Sequence, residues 1–291
     1  MSSSSPEPDL TVVVASNGAA GAVAGCLAAL EGQVGGAEVL VCEMTPSGDE
    51  VQGAFSWASF HVSPGALVPE LWRDGIELSR GRVVALTISP MRPAADWVAT
   101  VRRLTASNDA VGGAIEPGPR LRWADWAEYF CRYARDMLPF EGHASVDLPG
   151  DNAAYTRDAL ERTSELYGDG FWEPVVHRGL EAGGGRLWHA PELVVHQARS
   201  AGAGAFVRQR WTHGRVYGRQ RGSGFGGARN VVGVIAAPLV PFVVGLRRAR
   251  EVLRKGRHRG RLVVALPLLF VFDAAWAAGE ALGHVDILRG R

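Results

Sequence analysis

The stretch "LTVVVASNGAAGAVAGCLAALEGQVGGAEVLVCE", residues 10–43, decides the fold class. Its first seven residues are a short apolar run stopped by Asn17-Gly18, which reads as a buried strand ending in a turn. Residues 19–31 are alanine-rich with apolar positions at helical spacing, and residues 37–43 form a second apolar run. Strand, helix and strand within about 35 residues start a parallel sheet with right-handed crossovers. Ligands bind beyond the carboxyl ends of such strands, so Ser16, Asn17 and Glu43 stand either at a ligand or as caps of their loops.

Further along, residues 44–66 lack periodicity and read as a crossing loop with a short helix. "PELWRDGIELSRG" (69–81) reads as a helix with proline in its first turn and glycine as its stop. "RVVALTI" (82–88) is a third strand, followed by "SPMRPAADW", in which Asp96 or a nearby residue can cap a helix over 97–104. "DAVGGAI" (109–115) is a fourth strand. Trp123, Trp126, Tyr129, Phe130 and Tyr133 make an aromatic helix most simply explained by core packing. "DLPGDNAAYTRDALER" (147–162) reads as a loop entering a helix. Residues 170–196 then predict a helix from Glu173 to Ala182 and two strands, near 186–188 and 192–196. Glu173 and His177, four apart, share a face of that helix. No P-loop, dinucleotide fingerprint, G-x-S-x-G elbow or H-E-x-x-H occurs.

Charge is divided unevenly along the 291 residues. Residues 1–200 hold 15 Lys/Arg against 26 Asp/Glu, a balance of −11, and residues 201–291 hold 16 against 4, a balance of +12. The basic part also carries the longest apolar runs, "VVGVIAAPLVPFVVGL" (231–246) and "LVVALPLLFVFDAAWAAG" (262–279), joined by "RRAREVLRKGRHRGR" with eight Lys/Arg and one Glu. Pro238, Pro241, Pro267 and Asp273 interrupt runs already shorter than the roughly 20 residues of a spanning helix. Two interfacial or re-entrant helices with the basic connector against anionic head groups satisfy these features. A two-pass hairpin and burial in a partner enzyme or homo-oligomer are the alternatives. Nucleic acid is not the expected partner, because it gives no reason for long apolar runs beside the arginines. Cys26, Cys42 and Cys131 form no ligand or CxxC pattern, which favours a reducing compartment. These features predict a leader over 1–9, an α/β domain over 10–224 and a membrane-associated helical region over 225–291, peripheral or re-entrant at the cytoplasmic face of the membrane.

Taken in order, these segments resemble a family 2 glycosyltransferase of the inverting type with the GT-A fold, over roughly residues 10–220. The carriers are "LTVVVASNGAAGAVAGCLAAL", "AEVLVCE", "LWRDGIELSRG", "GDNAAYTRDAL" and "FWEPVVHRGLEAGGGRLWHAPELVVH". The resemblance implies a GT-A-like, Rossmann-type mixed sheet flanked by helices and a nucleotide-sugar donor. It implies that Ser16 and Asn17 border the base, that Glu43 meets the nucleoside, and that Arg73 and Asp74 lie near the nucleotide. It also implies that Asp151 and Asn152 lie between donor and acceptor, that Glu173 is the general base, and that His196 helps hold the metal or the diphosphate. With the basic tail, it points to a lipid-linked or envelope-polysaccharide acceptor.

One departure concerns metal. Ile88 and Pro90 stand where the D-x-D carboxylates of the family would be, and neither side chain offers the oxygen that Mg²⁺ or Mn²⁺ requires. Metal use is therefore doubtful. Charge on a leaving diphosphate would fall to Arg92, His196 or an arginine of the 208–221 segment such as Arg215. A second departure is Glu173-Pro174 in place of Glu-Asp. The alternative is a transferase-like subunit without catalysis that binds a ligand or a partner enzyme at the membrane.

Overall fold

The computed structural model describes residues 8–198, 202–224 and 226–290. Residues 1–7 of the expected leader, and residue 225 where the helical region was expected to begin, lie outside them. Two compact units are present. One runs from the described N-terminal residues through Glu116 and resumes over Asp136–Ala198; the other combines Pro117–Arg135 with the described residues from 202 onward.

The first unit is a mixed α/β sheet flanked by helices, the GT-A-like architecture expected from the sequence. It opens with β1 (Leu10–Ser16), α1 (Ala20–Leu30), β2 (Glu38–Glu43), α2 (Asp49–Ala54), β3 (Ser59–Val62), α3 (Val68–Leu78), β4 (Val83–Ile88), β5 (Met91–Pro93), α4 (Trp97–Thr105) and β6 (Ala110–Pro117). After α5 (Trp123–Tyr133), which belongs to the second unit, come β7 (His143–Ala144), β8 (Asn152–Thr156), α6 (Arg157–Arg162), α7 (Glu173–Ala182) and β9 (Leu187–Gln197). Among the described residues nine strands form one sheet in the order β3-β2-β1-β4-β8-β6-β9-β5, with β7 on β9.

The β1 side is parallel. Val12 and Val14 pair with Val39 and Val41 of β2, and β4 flanks β1 in the same direction. Every residue of β1 is buried, as a central parallel strand requires. Gly18 makes the turn out of β1 with φ 86°, and a Cβ there would lie 1.9 Å from the carbonyl oxygen of Thr45, so this turn admits glycine alone.

The first strand, helix and second strand stand where the sequence put them, and so do α3, α4, α5 and α7. Four local expectations change. The short helix read within 44–66 is α2, but Ser59–Val62 of the same stretch is a strand where crossing loop was expected. Residues 152–156 are a strand antiparallel to β4 and β6, not a loop. The two strands expected near 186–196 are one eleven-residue strand, with Pro191 inside it. Asp96 precedes α4, yet its side chain makes no cap hydrogen bond.

The second unit is helical: α5, α8 (Ala203–Ser223), α9 (Gly227–Ala236), α10 (Val240–Lys255) and α11 (Arg259–Leu288). The prolines do not divide it as their positions suggested. Pro238 and Pro241 sit in the first turns of a 3₁₀ turn (Ala237–Leu239) and of α10, where a missing N–H costs no helical bond, and Pro267 lies inside an unbroken α11. Gly227–Lys255 and Arg259–Leu288 are consequently 29 and 30 residues, long and apolar enough to cross a membrane by length and composition.

α8 and α11 run in the same direction backbone against backbone. Gly279 faces the Trp211 carbonyl, Gly283 that of Arg215, and Gly222 the side chain of Ile287. The spacing of four at Gly214, Gly218 and Gly222, and again at Gly279 and Gly283, is what permits this approach. Acidic and histidine side chains of α11 find partners inside the unit, with Asp273 Oδ2 alone among their buried oxygens left without a hydrogen bond among the described residues. Asp273 pairs with Arg248, Glu280 with Arg221 at 3.2 Å, and Asp286 with Arg215 and Arg219 at 2.8 Å each. His284 Nδ1 meets Asn230 Oδ1 at 2.7 Å. These two long apolar helices support membrane association of the chain.

Candidate active site

The carboxyl ends of β1, β2 and β4 bring Ser16, Glu43 and Ile88 to one edge of the sheet, with Ser16 paired to Glu43 and Ala15 to Ile88 in register. Ser16 is buried and its Oγ accepts from the Gly18 amide at 3.0 Å. Asn17 is exposed, and its Oδ1 accepts from the Ala19 amide at 3.3 Å, closing the turn into α1. Glu43 is fully buried. Its Oε2 accepts from the Ser47 amide at 3.3 Å, while Oε1 has no hydrogen-bond partner in the protein, and neither has Ser47 Oγ nearby in the chain. A buried carboxylate oxygen left unanswered is costly, so this end of β2 is built to accept a donor.

Arg73 and Asp74 are held to one another. Arg73 donates to Asp74 Oδ1 from Nε at 3.0 Å and Nη2 at 2.6 Å, and its Nη1 reaches the Gly168 carbonyl at 3.0 Å. Ser63 Oγ donates to the other oxygen of Asp74. Burial raises the Asp74 carboxyl, but the Ser63 and Arg73 hydrogen bonds outweigh it and leave the group below its ordinary value. The pair thus ties the end of β3 and the 168 loop to α3.

Arg92 follows the end of β4 by four residues and lies against α1. Its Nη1 donates to the carbonyls of Ser89 and Met91 at 2.9 Å each, and a Cβ on Gly25 would stand 2.2 Å from Nη2. Burial lowers its affinity for the proton, though an arginine remains charged throughout the working range, and burial pushes the neighbouring Cys26 thiol up to about 12. His196 of β9 stands opposite Arg92 in the antiparallel ladder, and the next residue, Gln197, is buried with Oε1 unpartnered.

Glu173 opens α7, and its Oε1 lies 2.1 Å from where a Cβ of Gly150 would be, so the base candidate is seated on the Gly150–Asp151 loop. Behind it, the buried His177 accepts the Leu148 amide on Nδ1 at 3.3 Å and meets Tyr155 Oη with Nε2 at 2.8 Å. With Nδ1 accepting, a neutral ring carries its proton on Nε2 and donates to the tyrosine. Burial, then the charges of Glu173 and Asp147, raise the Tyr155 phenol well above its ordinary value, so it stays a neutral hydroxyl. Sequence spacing had placed His177 on one helix face with Glu173. Nothing in the sequence marked Tyr155 as its partner, because β8 was read as a loop.

Asp151 is buried and its carbonyl accepts from Thr87 Oγ1 at 2.9 Å. Asn152 is at the centre of the sheet: Oδ1 accepts from Trp97 Nε1 at 2.8 Å, and Nδ2 donates to the carbonyls of Ala114 and Leu193 at 2.9 Å each. Its amide joins α4, β6 and β9. Arg215 belongs to the second unit and forks onto Asp286 with bonds of 2.8 and 3.1 Å.

The residues at the end of β4 do not fit a metal. Ile88 is 5% and Ser89 1% exposed, and Pro90 contributes only a carbonyl, which accepts the Ala198 amide. Among the described residues no group of three or more His, Cys, Asp or Glu side chains could hold an ion.

Comparison with protein-family models and with curated proteins finds no match. Among solved structures, the mannosyltransferase PcManGT from Pyrobaculum calidifontis, in complex with GDP-Man and Mn²⁺, is 15% identical with a TM-score of 0.49, over 97% of this chain and 75% of that one. Nothing about the chemistry of this chain follows from a likeness so distant.

Proposed function

We propose that the first unit transfers a sugar from a nucleotide-sugar donor, with inversion and without a metal on a D-x-D motif, to a lipid-linked or envelope-polysaccharide acceptor at a membrane surface. The observation that carries this is Glu43, a fully buried carboxylate with one unanswered oxygen at the carboxyl end of a parallel strand, where a nucleoside hydroxyl or amine would complete it. Glu173, on the Gly150–Asp151 loop, takes the proton of the acceptor hydroxyl. The freed oxygen forms a bond to the anomeric carbon from the face opposite the diphosphate, whose carbon–oxygen bond breaks. The nucleoside diphosphate leaves with the electron pair, its added charge met by Arg92 and by an N–H of His196. A cytoplasmic location agrees with three free, buried cysteines.

The end of β4, empty of carboxylates, favours a second reading, a subunit that binds a nucleotide or partner enzyme without turnover. Glu173→Gln separates the two. Under the transferase reading the variant binds donor as wild type does but turns over about 10²-fold more slowly, the scale of a lost general base. Unchanged turnover in a folded variant removes Glu173 from the mechanism, and donor binding without turnover in the wild type establishes the second reading.

A further inference from the structure

Membrane association leaves open how the hairpin of α9, α10 and α11 meets the bilayer, and the packing of the second unit bears on it. α5 lies along the first half of α11 and its connector. The Trp126 ring is 4.7 Å from that of His258, the Arg261 guanidinium lies 5.9 Å over Trp126, and Cys131 Sγ is 3.9 Å from Asp273. Lys255 Nζ donates to the Arg135 carbonyl at 2.6 Å, so the connector is fastened near both ends of α5. α8 covers the second half of α11, from Phe206 against Phe272 at 4.6 Å to Gly222 against Ile287. The remaining faces are apolar and bare. Ile235, Leu239, Phe242 and Val243 follow one stripe at spacings of four, three and one and are 63–72% exposed, and Val263 and Phe270 continue it on α11 at 66% and 44%.

The chain's path limits the topology. α5 belongs to Pro117–Arg135, a 19-residue excursion from the first unit. One helical crossing of a bilayer takes about 20 residues, so this excursion cannot cross and return, and the connector fastened to it stays on the side from which it came. The bare apolar stretch of α11 before Asp273, from Val263 to Val271, is eight steps or about 12 Å long, and that of Gly227–Lys255 before Arg247, from Val231 to Leu246, is fifteen steps or about 22 Å, both short of the roughly 30 Å hydrocarbon core.

We propose that the hairpin enters only the near leaflet of an anionic bilayer, its long helices along the interface and its basic 247–261 connector among the phosphates on the side of the α5 excursion. Charge selects the partner: of the eight Lys/Arg, Arg248 is paired with Asp273 and Lys255 is held at the Arg135 carbonyl, and the other six, against one Glu, suit anionic head groups, while the apolar stripe beside them suits acyl chains. This rests on the membrane part of the proposed function, and sidedness tests it separately. The full-length chain, reconstituted in vesicles of phosphatidylcholine and phosphatidylglycerol, is compared as Arg254→Cys in the connector and Ser107→Cys upstream of the excursion. Both positions are exposed, and the native cysteines are buried. An impermeant maleimide labels the same fraction of both variants before detergent is added, whatever the orientation of the vesicles. Complementary fractions, with one site labelled only after detergent, overturn near-leaflet insertion and leave membrane association standing. A chain that fails to float with the vesicles overturns both, and a soluble oligomer in its place assigns the apolar stripe to a second copy.

Discussion

Replacing Gly218 by alanine tests the seam between α8 and α11 at one of its closest points. The added methyl would lie 2.3 Å from the Glu280 carbonyl oxygen and 3.0 Å from its Cα, and neither atom can rotate away as a side chain would. Ordinary contacts begin near 3.5 Å, so the helices part locally by roughly 1 Å, and a gap of that size forfeits a quarter to a half of each dispersion contact along the seam. Overpacking of this kind costs about 1–3 kcal/mol, and alanine returns about 1 kcal/mol of helix propensity, leaving a net loss of up to about 2 kcal/mol. Gly245 of α10 is the control. It is helical with nothing within 4 Å, so Gly245→Ala collects the propensity gain alone and stabilises by up to about 1 kcal/mol. Unfolding of the detergent-solubilised chain followed by far-UV circular dichroism reads both signs. Gly279→Ala, which meets the Trp211 carbonyl at 2.2 Å, should destabilise like Gly218→Ala, and the double variant should lose less than the sum, because a seam already opened has less to lose. A Gly218→Ala protein as stable as Gly245→Ala would refute close backbone packing of these helices.

Nucleoside diphosphates titrated calorimetrically should bind with nearly equal affinity in EDTA and in millimolar Mn²⁺, and Arg92→Ala should weaken binding about tenfold or more, the worth of one charge-assisted hydrogen bond; affinity that appears only with Mn²⁺ would show ligands outside the β4 end. Tyr155→Phe removes the partner of His177 Nε2 at 2.8 Å, so it should cost about 1–2 kcal/mol in urea unfolding and lower turnover while leaving donor affinity unchanged, since it loosens the loop under Glu173. The His213 imidazole is pushed down to about 4 by burial, then by Arg132 and Arg210. The unfolded chain therefore takes up this proton first, and stability present above pH 6.5 is lost as pH falls towards 4, by about 2 kcal/mol at pH 5. In His213→Gln the difference in unfolding free energy between pH 7 and pH 5 should shrink by that amount, and an unchanged difference would place the pH dependence elsewhere.

The fold was legible where burial is symmetric and unambiguous. The middles of β1 and β2 are runs of apolar residues because both their faces are covered, and α3 and α7 carry their own start and stop residues. β3 was not legible, since a four-residue strand with mostly exposed side chains at a sheet edge leaves no periodicity to read. Nor was β8, where asparagine, alanines and tyrosine are buried for reasons supplied by distant partners. Prolines misled in the second unit, because their cost depends on whether a partner for the missing N–H was needed at that position, which sequence does not show. The site divides similarly. Glu43 and Glu173 could be picked by their places after a strand and at a helix start. Arg73, Asn152 and Arg215 carry the same chemistry as ligand-binding residues, and only coordinates show that their polar atoms are engaged by Asp74, by three elements of the sheet, and by Asp286.

The excursion that supplies α5 also sets an order on assembly during synthesis. Trp126, Tyr129 and Phe130 emerge about 130 residues before the connector and α11 against which this helix packs, and at about 5–20 residues per second that interval is roughly 6–25 s. For that time the nascent chain can complete its sheet through β9 while an aromatic helix waits without its native neighbour. Closing so long a loop is slow compared with local helix formation, so the aromatic face is the surface on which chaperones, or a premature membrane encounter, would act first.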